Sequence, residues 1–230
     1  MDSNSLQTAE GLGVLHLFCK IPEQLFHNKK GKLVKVIETA RASSMQVVTV
    51  SILGHKADVA FMVLGKDWVQ LRKFQTSVVS AGLDVVDSYV SLTEISEYAQ
   101  GVPEEMRNAR LYPELPPDDK KAWCFYPMSK RRNPAQNWFT LPFEKRKELM
   151  YEHGASGRKF SGRVLQVITG STGVDDYEWG VTLFCVHPDD LKDVVYTMRF
   201  DEASAEYAEF GSFYSGYVIS IEELLLDHSN

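Results

Sequence analysis

Hydrophobic residues recur along the first 98 positions in two alternating periods, one typical of β-strands and one typical of amphipathic helices. Apolar runs bounded by glycine or polar residues predict strands at 11–21, 45–54, 57–65 and 83–95. Between them, apolar residues three and four positions apart predict helices at 32–43 and from the capping residue Asp67 to Gly82. The predicted order is strand, helix, strand, strand, helix, strand.

The same order returns in the second half, after a proline-rich connector at 99–120. Here the pattern predicts strands at 122–130, 163–171, 178–186 and 212–224, and helices at 141–153 and 188–199. Pro142 opens the first of these helices and Gly154 closes it. Two such halves, 1–98 and 121–230, predict an α+β fold of tandem ferredoxin-like repeats, with antiparallel sheets covered by helices on one face. Placed side by side, the two sheets could close into a barrel with an apolar interior.

Composition restricts the class of protein. The 230 residues are 44% hydrophobic and 24% charged with a formal net charge of −6, which is typical of a soluble globular protein and argues against a general nucleic-acid binder. The longest apolar runs have strand length, so no membrane span is expected. Cys19, Cys124 and Cys185 lack paired spacing and lie in apolar runs, which predicts free thiols and a cytoplasmic, reducing location.

The strand at 122–130 carries the first candidate chemistry. Because alternate residues of a strand share a face, Tyr126, Met128 and Lys130 point to the same side. That face becomes more polar towards the end of the strand, which is unusual for a core face. One interpretation is a tyrosine at the rim of the core and a lysine that extends to solvent. The other is the wall of a ligand pocket.

His153 follows Leu149 by one turn on the apolar side of the predicted helix 141–153. Three interpretations are open. The C-terminal end of a helix favours a capping imidazolium. A core histidine would bond to a backbone carbonyl. A haem ligand would present a neutral ring nitrogen to iron in dry surroundings.

Three further polar residues need explanation. Gln166 lies in an apolar strand, so its amide needs a hydrogen-bond partner across the sheet or a ligand. Arg199 ends the helix 188–199, where a cation is favourable, and its guanidinium also matches the two oxygens of a carboxylate. Ser204 adds a hydroxyl donor five residues later. The acidic residues of 175–178 are typical of a solvated turn.

Four segments resemble the chlorite dismutase-like family, and within it the branch of the coproheme decarboxylases. They are "YPMSKRR" with "NWF" and "LP" at 126–142, "LMYEHGASGRKFSGRVLQVITGS" at 149–171, "DDYEWGVTLF" at 175–184 and "MRFDEASAEYAEFGSF" at 198–213. The resemblance implies a dimeric α+β barrel, usually assembled as a homopentamer, that binds an iron porphyrin in its second half. It also implies transient contact with coproporphyrin ferrochelatase.

The resemblance further implies a reaction and its residues. Iron coproporphyrin III is the substrate, hydrogen peroxide is the oxidant, and two propionates become vinyl groups to give haem b. His153 is the proximal iron ligand, Tyr126 forms a tyrosyl radical, and Lys130 lies beside it. The residues lining the porphyrin or holding its propionates are Met128, Gln166, Arg199 and Ser204. A substrate with four carboxylates needs cations around an apolar slot, and Lys130, Arg158 and Arg199 are the candidates.

Gln166 bears on the choice between branches. Members of the family that break down chlorite carry an arginine where Gln166 aligns, so the resemblance favours decarboxylation over a chlorite dismutase or a weak peroxidase. A non-enzymatic haem-binding or haem-delivery protein is the other alternative. Such a protein would have little need for Tyr126 beside Lys130.

Overall fold

A closed antiparallel barrel forms the centre of the molecule in the computed structural model, which describes residues 5–23, 30–99 and 101–227. The strands in these residues are β1 (Gly13–Lys20), β2 (Gln46–Ile52), β3 (Val59–Gly65), β4 (Asp84–Thr93), β5 (Ala122–Lys130), β6 (Arg132–Asn133), β7 (Gln136–Asn137), β8 (Val164–Gly170), β9 (Trp179–Cys185), β10 (Ala208–Phe210) and β11 (Tyr214–Val218). The helices are α1 (Lys30–Ala42), α2 (Trp68–Ala81), α3 (Glu104–Leu111), α4 (Phe143–Arg158), α5 (Pro188–Met198), α6 (Glu202–Ala205) and α7 (Ile221–Asp227).

The strands of the two halves join at two seams. The sheet has the order β10-β5-β11-β2-β3-β1-β4-β8-β9, and β5 also pairs with β9, which closes the barrel. One seam is β11 against β2, and the other is β4 against β8. The α+β prediction of tandem ferredoxin-like repeats is confirmed, and the two sheets do close around an apolar interior.

Alternation along β5 separates two cores. Trp123 and Phe125 face the barrel interior, where the rings of Phe18 and Tyr214 stack with centroids 3.7 Å apart. Tyr126 and its neighbours on the other face pack beneath α5. His16 is a polar residue of the interior, and its Nε2 lies 3.1 Å from the hydroxyl oxygen of Thr182. Burial lowers the pKa of His16 to about 3, so this imidazole is neutral.

Helix signals near the ends of α2 are confirmed, but one signal in the second half is wrong. Asp67 caps α2 by accepting a hydrogen bond from the backbone of Val69, and Gly82 ends it with a φ of 107°. In contrast, α4 continues through Gly154 to Arg158, and Gly154 lacks the positive φ of a helix-ending glycine. His153 therefore lies inside the helix, and the capping explanation that depended on the helix end does not apply.

The remaining expectations from composition concern thiols and membrane spans. Cys19, Cys124 and Cys185 are free and buried. Within the described ranges, no helix combines the length and the apolar character that a membrane crossing requires.

Candidate functional site

His153 is held by a carboxylate that follows α5. Its Nδ1 lies 3.0 Å from Oδ2 of Asp201 and donates to it. The hydroxyl oxygen of Ser204 lies 3.2 Å from the same nitrogen. Asp201 also caps α6, because its Oδ1 accepts the backbone N–H of Ser204 at 2.9 Å. With Nδ1 engaged, Nε2 is the nitrogen available to a metal, as in many metal-binding histidines whose other nitrogen donates to a carboxylate.

The ionisation of Asp201 suits this arrangement. Burial by itself would raise the pKa of its carboxyl, but the hydrogen bonds from His153 and Ser204 outweigh burial, and the net pKa is lowered. Asp201 is therefore a carboxylate, which fixes the Nδ1–H tautomer of His153. The interpretation of His153 as a core histidine bonded to a backbone carbonyl is wrong.

Lys130 is buried and does not extend to solvent. Its ammonium donates to the backbone carbonyl of Ala203 at 2.6 Å and lies 4.4 Å from the ring centroid of Trp138. Burial lowers the pKa of Lys130 to about 8, although the charges of Asp201 and Glu178 oppose that shift. The lysine thus connects the strand of Tyr126 with the short helix α6 that follows Asp201.

The burial of Lys130 predicts a pH-dependent stability. Its pKa is about 8 in the folded chain and takes its ordinary value of 10.5 on unfolding, so between these values the unfolded chain holds more protons. The free energy of unfolding should therefore rise with pH across this window, by up to about 3 kcal/mol. Urea unfolding of wild type and Lys130→Met at a series of pH values isolates the contribution of Lys130 to the pH dependence of the free energy of unfolding. Parallel profiles would contradict it, and Lys192→Met, which removes an exposed ammonium, is the matched control.

Glu178 lies in the stretch predicted to be a solvated turn, and for this residue the prediction is wrong. Its Oε2 accepts the backbone N–H of Lys130 at 2.8 Å, and its Oε1 forms an ion pair with Arg132. These partners allow the carboxylate to be buried. Arg131 pairs instead with Glu209 at 3.8 Å, so the cations that follow Lys130 serve as ion-pair partners at the strand end.

Tyr126 is buried among apolar and aromatic side chains. Its ring stacks on Phe213 with centroids 4.5 Å apart and meets the ring of Phe210 edge-on at 5.7 Å. Among the residues that the structure describes, none forms a hydrogen bond with its hydroxyl. Burial raises its pKa, with Cys124 adding to the rise and Arg199 opposing it. The phenol is therefore protonated at neutral pH.

The other predicted residues divide into two groups. Arg199 is exposed at the end of α5 with its guanidinium carbon 4.7 Å from the ring centroid of Phe210. Met128 packs in the same apolar cluster as Tyr126. Arg158 lies apart from this group, at the end of α4, with its guanidinium carbon 5.5 Å from the ring centroid of exposed Tyr151.

Gln166 faces α4 one turn beyond His153. Its Nε2 donates to Sδ of Met198 at 3.6 Å. A Cβ on Gly157 would lie 3.6 Å from the same nitrogen, and Gly157 follows His153 by four residues on one face of the helix. The partner predicted across the sheet is thus replaced by a side chain of α5. Met198 packs against the apolar cluster of Tyr126, so it connects Gln166 with that cluster.

Sequence reasoning missed Asp201, Glu178, Phe210 and Phe213. Asp201 had a local signal, because an aspartate directly before a short helix is typical of an N-cap. Glu178 had none, since its partners in the fold are 46 and 48 residues away. The two phenylalanines lie in a segment that the pattern assigned to strand and loop, with no indication of the face they occupy.

Comparisons with known proteins identify relatives in sequence and in fold. The family model described as chlorite dismutase matches residues 27–219. A coproheme decarboxylase from Staphylococcus carnosus (strain TM300) is 40% identical over 247 aligned positions, covering 96% of this chain and 97% of that protein. The structure of a heme-binding protein from Thermus thermophilus superposes with a TM-score of 0.87 at 33% identity over 98% of both chains. A chlorite dismutase mutant from Candidatus Nitrospira defluvii shares the fold, with a TM-score of 0.77 at 17% identity over 97% of both chains.

Proposed function

The chain belongs to the chlorite dismutase family, and from that premise we propose that it is a coproheme decarboxylase, which converts iron coproporphyrin III to haem b. The observation that carries this proposal is Tyr126, a buried phenol without a hydrogen-bond partner among the described residues, beside the charge of Arg199. A protonated phenol in an apolar wall can give up and regain a hydrogen atom without a charged side chain forming at low dielectric. The coproheme decarboxylase of Staphylococcus carnosus adds support.

Hydrogen peroxide is the oxidant in this proposal. Each propionate loses a hydrogen atom to the oxidised Tyr126 and then one electron, so that carbon dioxide leaves and a vinyl group remains. Peroxide takes up these two reducing equivalents, and with the hydrogen released and one further proton it becomes two molecules of water. The same sequence on a second propionate gives haem b.

The remaining residues bind and orient the substrate. His153 binds the iron through Nε2, while Asp201 and the hydroxyl of Ser204 hold its ring. The guanidinium of Arg199, exposed and stacked on Phe210, is suited to a propionate. Met128 would line the apolar slot, and Gln166 would supply a neutral amide to it.

Lys130 and Arg158 have less direct roles in this proposal. The ammonium of Lys130 adds positive charge close to the site while its own hydrogen bond goes to Ala203. Arg158, exposed at the end of α4, attracts the carboxylates of the incoming substrate. We further propose a cytoplasmic homopentamer that meets coproporphyrin ferrochelatase transiently.

Titration with peroxide tests the proposed function. The protein is mixed with iron coproporphyrin III, peroxide is added in steps, and the porphyrin mass is followed. Two successive losses of carbon dioxide are expected. Binding without any mass loss would refute the enzyme and favour a haem-binding protein, a candidate supported by the heme-binding protein of Thermus thermophilus. Release of oxygen from chlorite, together with an absence of decarboxylation, would favour a chlorite dismutase.

A further inference from the structure

The segment between Phe210 and Tyr214 runs beside Tyr126 and contains one residue more than the part of β5 that it faces. Both β10 and β11 pair with β5, with Phe210 opposite Met128 and Tyr214 opposite Phe125. Between these two pairs β5 has only Tyr126 and Pro127, whereas the other chain has the three residues 211–213. The extra residue makes a β-bulge directly beside Tyr126.

Pro127 and Gly211 explain why the bulge occurs here. Proline has no N–H to donate, so the ladder cannot continue regularly past Pro127. Its carbonyl still accepts the N–H of Gly211 at 2.8 Å. A Cβ on Gly211 would lie 2.6 Å from Cγ of Pro127 and 2.7 Å from Cζ of Tyr177. A residue without a side chain is therefore required at this position.

The bulge determines which side chains reach Tyr126. Phe210 and Phe213 are three positions apart, and in a regular strand they would point to opposite faces. Phe210, opposite Met128, already lies on the face of Tyr126, and the extra residue brings Phe213 to the same face. Phe213 stacks on the ring of Tyr126 and Phe210 meets its edge. Phe210 also lies under the guanidinium of Arg199. The bulge therefore completes the aromatic surroundings of Tyr126 next to the ring that Arg199 contacts.

We propose that Phe213, with Phe210, forms an aromatic clamp that fixes the ring of Tyr126 and so directs its hydroxyl towards the propionate. Within the described ranges the hydroxyl has no hydrogen bond, so packing of the ring, with the stack on Phe213 as its closest aromatic contact, sets the direction of the hydroxyl. Phe213 is thus a positioning residue. The inference rests on the proposed function, because that function gives Tyr126 the hydrogen abstraction whose rate depends on its distance and angle to the substrate.

The stack is tested first without substrate. The ten tyrosines are labelled as 3-fluorotyrosine, and the fluorine signal of Tyr126 is assigned by its loss in Tyr126→Phe. Phe213→Leu keeps an apolar side chain but removes the ring current of the phenylalanine. The fluorine chemical shift of Tyr126 should therefore change. The matched control is Phe74→Leu, which breaks an edge-on pair with Phe61 in the first half and should leave the signal in place. An unmoved signal in Phe213→Leu would overturn the clamp.

The second test measures the reaction. An aromatic pair of this kind corresponds to a rate loss of about 2- to 10-fold in Phe213→Leu, with an unchanged Kd for iron coproporphyrin. The hyperfine pattern of the tyrosyl radical, which reports ring orientation, should change with it, and Phe213→Tyr should restore both. Phe213→Met, which also lacks a ring and leaves Phe210 under Arg199, provides a second variant if Phe213→Leu folds poorly.

The outcomes separate this inference from the proposed function. A wild-type rate in Phe213→Leu beside an inactive Tyr126→Phe overturns the clamp and leaves the proposed function intact. A weaker Kd with an unchanged rate would make Phe213 a substrate contact and also overturns the positioning role. Full activity in Tyr126→Phe refutes the role of the tyrosine itself.

Discussion

Replacement of Tyr126 by phenylalanine should stop decarboxylation while iron coproporphyrin still binds. The substitution removes only the hydroxyl, and the stack on Phe213 and the edge contact with Phe210 involve the ring. Since no described residue bonds to that hydroxyl, its removal should not lower the free energy of unfolding. A loss of activity without a loss of stability or binding would assign the effect to the chemistry of the phenol.

Mass analysis after peroxide addition measures the effect. In Tyr126→Phe, the mass of iron coproporphyrin should remain unchanged even after prolonged exposure to peroxide. Tyr217→Phe is the matched control, because Tyr217 lies in β11 opposite Ala122 at the other end of β5 and is 40% exposed. Normal formation of the one-vinyl product in Tyr126→Phe would show that a different residue is oxidised. The proposal for Tyr126 would then be abandoned.

The order of the strands and helices could largely be predicted because it depends on local periodicity, although the strand predicted at 212–224 ends at Val218 and residues 221–224 belong to α7. Each half repeats the alternation of strands and the three- and four-residue spacing of helices, and few topologies satisfy that order. The main error, the end of α4, arose because a glycine can also continue a helix. Neither Gly154 nor Gly157 has the positive φ of a glycine that ends a helix, and a Cβ on Gly157 would make only ordinary contacts with Gln166 and Met198. The sequence alone does not distinguish a glycine that ends a helix from one that lies within it.

The site could be predicted only in part because its supporting contacts join distant segments. Alternation in β5 was enough to place Tyr126 and Met128 on one face, and these two residues do share an apolar cluster. The direction taken by the ammonium of Lys130 depends on Ala203, 73 residues away. The bulge at Gly211 depends on Pro127 in another strand, so the aromatic surroundings of Tyr126 required the folded structure.

These long-range contacts connect the two sides of the site. Lys130, on the strand of Tyr126, donates to Ala203, two residues after the carboxylate that holds His153. Arg199 ends α5 two residues before the same carboxylate and lies over Phe210. The short segment 199–204 therefore contacts both the wall that carries Tyr126 and the helix that carries His153. With the roles proposed for His153 and Arg199, a displacement of this segment would alter iron ligation and propionate binding together.

Replacement of His153 should remove the protein ligand of the iron, and replacement of Asp201 should weaken it. His153→Ala leaves the apolar slot and Arg199 in place, so iron coproporphyrin should still bind, with the absorption and electron paramagnetic resonance spectra of an iron that has lost its imidazole. Asp201→Asn keeps the shape of the side chain but removes the negative charge that accepts from Nδ1. Loss of such a partner typically costs about 10- to 100-fold in metal affinity.

The relative size of the two losses in affinity distinguishes the iron ligand His153 from Asp201, which orients it. Affinity for iron coproporphyrin should fall further in His153→Ala than in Asp201→Asn, and added imidazole should restore the iron spectrum of His153→Ala alone. Asp193→Asn, which alters a half-exposed carboxylate of α5, is the matched control and should bind as wild type does. An iron spectrum unchanged in His153→Ala would refute the assignment of His153. Unchanged affinity and spectrum in Asp201→Asn would limit that carboxylate to capping α6, where an asparagine also serves.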